Sequence, residues 1–419
     1  MRIVVAPDSF KGSATAIEVA QAMTDGLLRV FPRALIRQKP IADGGEGTVS
    51  SIVTATGGRI LETVVQDPIG RPIKAAWGLL GDGTTAVVEM SAASGLYLLK
   101  PEERDVRRTS TFGTGELIRA ALDRGVKRII LGLGGSATND GGTGMALALG
   151  ARFFDSAGSE LSRGGAALAA LDRIDVSGLD RRLGFLDLRV ACDVDNPLCG
   201  PRGASHVYGP QKGATPEDVR VLDFALDHYA KIASACTGRS VADSPGAGAA
   251  GGLGAGLLFF TPATLCPGID LVLEIIDFKA ALNGTCLVIT GEGRTDSQTA
   301  FGKAPVGVAR LAHERGIPVI CLSGGLGDGI DSLYDLGINV FHSVADGPMT
   351  VQHAMENVTW LIANAAERIA RTLKIGGCLE TTRPCVGRRS RTRRPVRASR
   401  PFLSGRKRES LGSRRTGVR

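Results

Sequence analysis

The amino-acid sequence predicts an α/β fold. A doubly wound parallel domain is built from both ends of the chain, with a second α/β domain inserted between them. Three observations predict this. Strand, polar loop and amphipathic helix follow one another twice within the first 60 residues, and the same order resumes near residue 285. That alternation marks a parallel sheet covered by helices. Between these stretches, three strand-like runs follow one another with no helix to separate them. Glycine is abundant, at 57 of 419 residues, and aromatics are only 5%, a balance suited to tight strand-to-helix turns.

The elements follow in order. Residues 2–6 are a short apolar strand, and PDSFKGS is the loop after it. A helix then runs to about Phe31, with Ala16, Ala20, Met23, Leu27 and Phe31 on one face. Ser13 is the expected N-cap. A strand over 35–42 ends in ADGGEGT, and a helix starts at about Thr48. Strands follow over 60–65, 73–80 and 84–90, the last two joined by a Gly81-Asp82-Gly83 turn. Consecutive antiparallel strands do not belong in a doubly wound domain. The expected division is therefore 1–60 plus 285–375, an insert over 61–284, and a tail over 376–419.

Within the insert, helices are expected over 114–124, 145–151 and 216–235, with Pro216 in the first turn of the last. Strands are expected over 128–133 and 189–194. Beyond it, CLVITGEG and PVICLSGG each give a strand and loop. A helix over 305–314, a strand over 338–344 and a long helix over 351–373 complete the body.

Charge is unevenly placed. The formal net charge is +8, but residues 376–419 hold 14 Lys/Arg against two Asp/Glu. The rest holds 36 against 40 and is mildly acidic. The tail has no apolar period and is expected to be disordered. A nucleic-acid partner would rest on it alone and is not expected. The eight cysteines form no CxxC and no leader precedes the first strand, so reduced thiols in a cytoplasm are expected. The apolar run 247–260 is short and glycine-rich, and is not read as a membrane span. Five histidines show no zinc spacing, and no GxSxG elbow occurs.

Polar chemistry gathers in loops that follow strands, where open α/β sheets bind ligands. The glycine-rich loop within RIILGLGGSATNDGGTGMAL carries Gly134, Gly135, Ser136, Thr138, Asn139, Asp140, Gly141 and Gly142. Backbone N–H groups in such a loop, at a helix start, favour a phosphate. It is neither a P-loop nor a GxGxxG site, and tight strand–helix packing is the other account of it. A GxGxxG match at Gly246, Gly248 and Gly251 follows no clear strand, and helix packing explains it as well. Other loops hold Asp8, Ser9 and Lys11; Asp43 and Glu46; Glu292, Arg294, Asp296 and Lys303. A further segment holds Asp193, Asp195, Asn196, Gln211 and Lys212. Phosphoryl transfer needs this mixture: cations for the moving phosphoryl group, carboxylates for Mg²⁺ or for the proton of an attacking hydroxyl. Turn and capping roles account for any single aspartate, and a solvated surface role for Lys11.

VVAPDSFKGS, ADGGEGT, LGGSATNDGGTGMALALGA, ACDVDNPLCGP with GPQKGAT, and ITGEGRTDSQTAFGKAPVGVA resemble the bacterial glycerate kinases of the glyoxylate and aldarate degradation type. The resemblance runs in order from residue 1 to about 375 and leaves out the tail. It implies an ATP- and Mg²⁺-dependent kinase making phosphoglycerate from D-glycerate, with 2-phosphoglycerate favoured over 3-phosphoglycerate. It also implies a flavodoxin-like domain and a restriction-endonuclease-like one. On these motifs, Gly134, Gly135, Ser136, Thr138, Asn139, Gly141 and Gly142 are expected to bind the nucleotide phosphates. Asp8, Ser9, Lys11, Asp43 and Arg294 are expected at the glycerate end, with Arg294 clamping the carboxylate and Lys11 also catalytic. Asp193, then Asp296, is the expected base or Mg²⁺ ligand. Another small hydroxy-acid kinase is the alternative.

Overall fold

A computed structural model describes residues 1–41, 48–300 and 302–381. The opening apolar run forms β1 (Arg2–Pro7). Ile3 and Val5 pack into one apolar cluster and Val4 and Ala6 into another. A strand buried on both faces reads as a continuous apolar run, as parallel strands do. β1 pairs in parallel with β2 (Leu35–Gln38), which is shorter than the sequence suggests.

β3 (Arg59–Gln66), β4 (Pro72–Leu79) and β5 (Thr85–Glu89) form an antiparallel run. β6 (Arg128–Gly132), β7 (Asp187–Ala191) and β8 (Thr264–Cys266) continue it in parallel, giving a six-stranded mixed sheet. The three-residue β8 was not expected. Its TLC sequence carries no apolar alternation, and its pairing with β7 alone makes it a strand.

β9 (Leu287–Gly291), β10 (Val319–Ser323) and β11 (Val340–Ser343) return to the first sheet, whose order is β11-β10-β9-β1-β2 with all neighbours parallel. That sheet draws only on 2–38 and 287–343, and the six-stranded sheet only on 59–266. Met1–Leu373 forms one unit that holds both sheets.

The helices used below are α1 (Ala16–Val30), α2 (Thr48–Thr56), α3 (Phe112–Asp123), α4 (Thr143–Ala148), α5 (Pro216–Thr237), α6 (Ala249–Phe260), α7 (Gly268–Ile275), α8 (Ala304–His313) and α9 (Val358–Thr381). α1 and α9 cover one face of the parallel sheet, α7 and α8 the other. The N-cap of α1 is Thr15, not Ser13. Glu18 stands three residues after Thr15 and closes a capping box with it, whereas the Ser13 hydroxyl donates to Phe10 O in the preceding turn. The final helix is not continuous. A short helix, Val351–Glu356, ends at Asn357, whose side-chain amide donates to His353 O, and α9 begins after it. α9 continues past the expected boundary at 376, and the tail beyond Thr381 lies outside the described residues. Among the described residues no helix is long and apolar enough to cross a membrane.

Candidate active site

The strand ends of the parallel sheet are laced together by backbone bonds. Asp8 N donates to Gly291 O at 2.8 Å, Gly324 N to Glu292 O at 3.1 Å and Gly325 N to Gly293 O at 3.0 Å. This brings the loops after β1, β9 and β10 around one cavity of about 460 Å³. Asp8, Ser9, Lys11 and Arg294 line it, as do Glu292 and Lys303. Asp8 is buried and accepts from Ser9 N at 2.6 Å. Glu292 is also buried. It accepts from the hydroxyls of Thr299 at 2.7 Å and Thr295 at 3.1 Å, and Lys303 Nζ lies 3.6 Å away. Burial raises its pKa, against the pull of those hydroxyls and of Lys303.

Asp296 does not line this cavity. Its carboxylate accepts from Gln298 N at 3.0 Å and from Arg294 Nε at 3.3 Å, an aspartate holding its own turn. Asp43 and Glu46 lie outside the described residues.

A second cavity, of about 400 Å³, opens past the ends of β6 and β7. Gly134, Gly135, Ser136, Asp193, Tyr208 and Gln211 line it, with Leu96 beside them. Leu96 N donates to Gly135 O at 2.8 Å and Ala137 N to Ser94 O at 2.9 Å, so the loop is pinned along its backbone. Asp193 Oδ1 accepts from Gly268 N at 2.8 Å, at the start of α7. Tyr208 Oη donates to Asn196 Oδ1 at 2.6 Å. Asp195 faces solvent, paired with Arg202.

Only the first half of the glycine-rich loop faces the cavity. Thr138, Asn139, Gly141 and Gly142 do not line it; they are built into the body of the fold. Asn139 Nδ2 donates to Ser205 Oγ at 2.9 Å, and Gly141 O accepts from Tyr229 Oη at 3.1 Å. Asp140, fully buried, ties the turn together. It accepts from Thr111 N at 2.8 Å, Thr111 Oγ1 at 2.9 Å, Gly142 N at 3.1 Å and Gly144 N at 3.2 Å. Burial raises its pKa, opposed by those bonds.

The GxGxxG match has the packing explanation. α6 is kinked where Ala250, Gly251 and Gly252 take positive φ, and a Cβ on Gly251 would lie 1.8 Å from Thr138 O. Glycine lets α6 press against the loop, and Gly141 N donates to Gly251 O there at 3.0 Å.

Lys212 was visible in its segment, but nothing in the sequence assigned it a role. It is only 2% exposed, behind the loop, with Nζ donating to Ser136 Oγ at 2.8 Å and Thr138 O at 2.7 Å. Burial brings its pKa down to about 7, against the opposing pull of Asp140. Glu292 and Lys303 were visible in the loop that holds Arg294, but nothing in the sequence separated them from Asp296. An apolar wall over 344–358 gave no signal, because valine and methionine on a helix read as core.

Carboxylates and cations gathered past strand ends, beside a glycine-rich loop that lines a cavity, are the equipment of phosphoryl transfer. They define a kinase acting on small molecules. The family model for the glycerate kinase family matches residues 3–374, and the chain belongs to that family. It is 51% identical to the glycerate kinase of Bacillus subtilis (strain 168) over 375 residues, covering 90% of this chain and 98% of that one. It is 47% identical to the glycerate 2-kinase of Escherichia coli (strain K12), covering 90% and 99%. A crystal structure described as that of a candidate glycerate kinase 2 from Salmonella typhimurium LT2 superposes with a TM-score of 0.83 at 48% identity. It covers 90% of this chain and 99% of that one.

Proposed function

We propose that the protein transfers the γ-phosphoryl group of ATP to the C2 hydroxyl of D-glycerate, releasing ADP and 2-phosphoglycerate. One observation carries this: relatives called glycerate kinase, one of them a glycerate 2-kinase, match across the whole stretch that holds both cavities. The hydroxyl oxygen attacks the γ-phosphorus in line, the bond to ADP breaks, and the hydroxyl proton passes to a carboxylate. Asp193, at the second cavity with its orientation fixed by Gly268 N, is the candidate for that role where glycerate occupies that cavity, and for a Mg²⁺ ligand where the nucleotide does. On the assignment that the sequence motifs suggest, 134–136 receive the ATP phosphates, and Asp8, Ser9, Lys11 and Arg294 receive glycerate.

The residues fit Mg²⁺. Among the described residues no group of three potential ligands gathers, but Mg²⁺ bound with a nucleotide needs only one or two carboxylates besides phosphate and water. Asp193 would supply one; Asp296, committed to its turn, is the weaker candidate. Bound Mg²⁺ would neutralise charge on the phosphate oxygens.

We also read the parallel sheet as flavodoxin-like, since its strands run 2-1-3-4-5 when counted along the chain. The six-stranded sheet then belongs to the inserted, restriction-endonuclease-like part. A cytoplasmic setting suits the six unpaired cysteines among the described residues.

A coupled assay with ATP and D-glycerate, with NMR of the product, tests the reaction. Phosphate on C3 would overturn the regiochemistry. Turnover of a different hydroxy acid with none of D-glycerate would overturn the substrate.

A further inference from the structure

The two cavities differ in what walls them. The first is bounded by Phe10, Val344, Val351, Ala354, Met355 and Val358. A three-carbon hydroxy acid gains nothing from such a wall, because each of its carbons carries oxygen and is held by hydrogen bonds. A purine ring does gain, since its faces are apolar and its edge is polar. The same cavity carries three cations, Lys11, Arg294 and Lys303, against the carboxylates of Asp8 and Glu292. It opens between β1 and β9, where the strand order reverses, the place at which open α/β sheets take nucleotides. The second cavity offers small or polar residues instead: Gly134, Gly135, Ser136, Gln211, Tyr208 and Asp193.

We propose that the adenine nucleotide occupies the first cavity, its base on the apolar wall and its phosphates toward Lys11, Arg294 and Lys303, and that glycerate occupies the second. This rests on the kinase reading above and exchanges the placement that the motifs suggest. It also sets the reacting hydroxyl beside Asp193, the carboxylate that accepts its proton.

The wall can be altered without touching the core. Val351 is 76% exposed and Met355 39%. In the full chain, Val351→Asp and Met355→Asp should each raise the Kd for ADP roughly tenfold while leaving the KM for D-glycerate unchanged. Gln211→Ala should raise the glycerate KM and leave ADP binding alone. Irradiation with 8-azido-ADP should label the peptide containing 344–358. Label on the peptides holding Leu96 or Tyr208, or wall variants that change only the glycerate KM, would overturn the placement while the kinase reading stands. If ADP labels the wall but the wild type does not phosphorylate D-glycerate, the substrate reading falls and the nucleotide site stands. A wild type that binds no ADP would bring down both.

Discussion

The two cavities hold charge in opposite ways. In the first, Lys11 and Arg294 ride on long stems at the surface, the Arg294 side chain 74% exposed, while Lys303 is half-buried beside Glu292. Beside the second, the cation is Lys212, which does not line the cavity but is sealed behind its loop and fixed by two hydrogen bonds. An exposed cation is screened by salt and moves with its ligand. A buried one is rigid and unscreened, and its proton is held weakly. The difference teaches that a cation can serve capture in one place and fixed geometry in the other.

The largest effect should come from the carboxylate at the rigid cavity. Asp193→Asn should keep the fold, because an amide oxygen still accepts from Gly268 N. It should lower kcat by about 10²–10⁴ at saturating Mg²⁺ if Asp193 is the base. A Mg²⁺ titration of the initial rate checks this, and full recovery at high Mg²⁺ would make Asp193 a metal ligand instead.

Lys212→Met should cost roughly 10²–10³ in kcat/KM, since it removes a preorganised charge and frees Ser136. Its pH signature separates charge from packing. The folded pKa, about 7, lies below the unfolded value of 10.5, so between these limits the unfolded chain binds the extra proton. Stability therefore rises with pH across that window. The Tm of the wild type, compared with that of Lys212→Met, should climb between pH 7 and 10; a constant difference would mean that Lys212 does not titrate there.

At the first cavity the effects should be smaller. Glu292→Gln should lower kcat/KM roughly tenfold, about 1.4 kcal/mol, by loosening Lys303. Because burial raises the Glu292 pKa, the substitution should also move the acid limb of the pH–rate profile. An unmoved limb would place that titration elsewhere. Asp296→Asn should do least, with kcat and the Mg²⁺ requirement near wild type, because an asparagine still accepts from Gln298 N. A marked rise in the Mg²⁺ requirement would return Asp296 to the metal site and weaken the contrast.

Much of the fold was legible because each signal was local. RIVVA reads as a strand buried on both faces, and GDG as the turn between β4 and β5. The misses fell where local signals tie. Ser13 and Thr15 are both good caps, and only Glu18 decides between them. β8 is too short to carry a period. At the site, the glycine-rich loop was legible as a unit, but not which half faces outward. That depends on Tyr229 and Gly251, which lie about 90 and 110 residues away in sequence. The burial of Lys212 was hidden for a related reason, since a lysine reads as solvated until the surrounding fold seals it in.

The parallel sheet has a consequence for the chain as it is being made. Thr290 Oγ1 donates to Ala6 O across 284 residues, and β9, which joins the two halves of the sheet, forms that late. At about 5–20 residues per second, synthesis leaves β1 and β2 without that neighbour for roughly 15–60 s. Through that interval the nascent chain presents an apolar strand with one unpaired edge to whatever else the ribosome's surroundings contain. The price of closing a sheet with both ends of the polypeptide is thus met during translation, where a chaperone or a slowly translated stretch would matter more than in the finished enzyme.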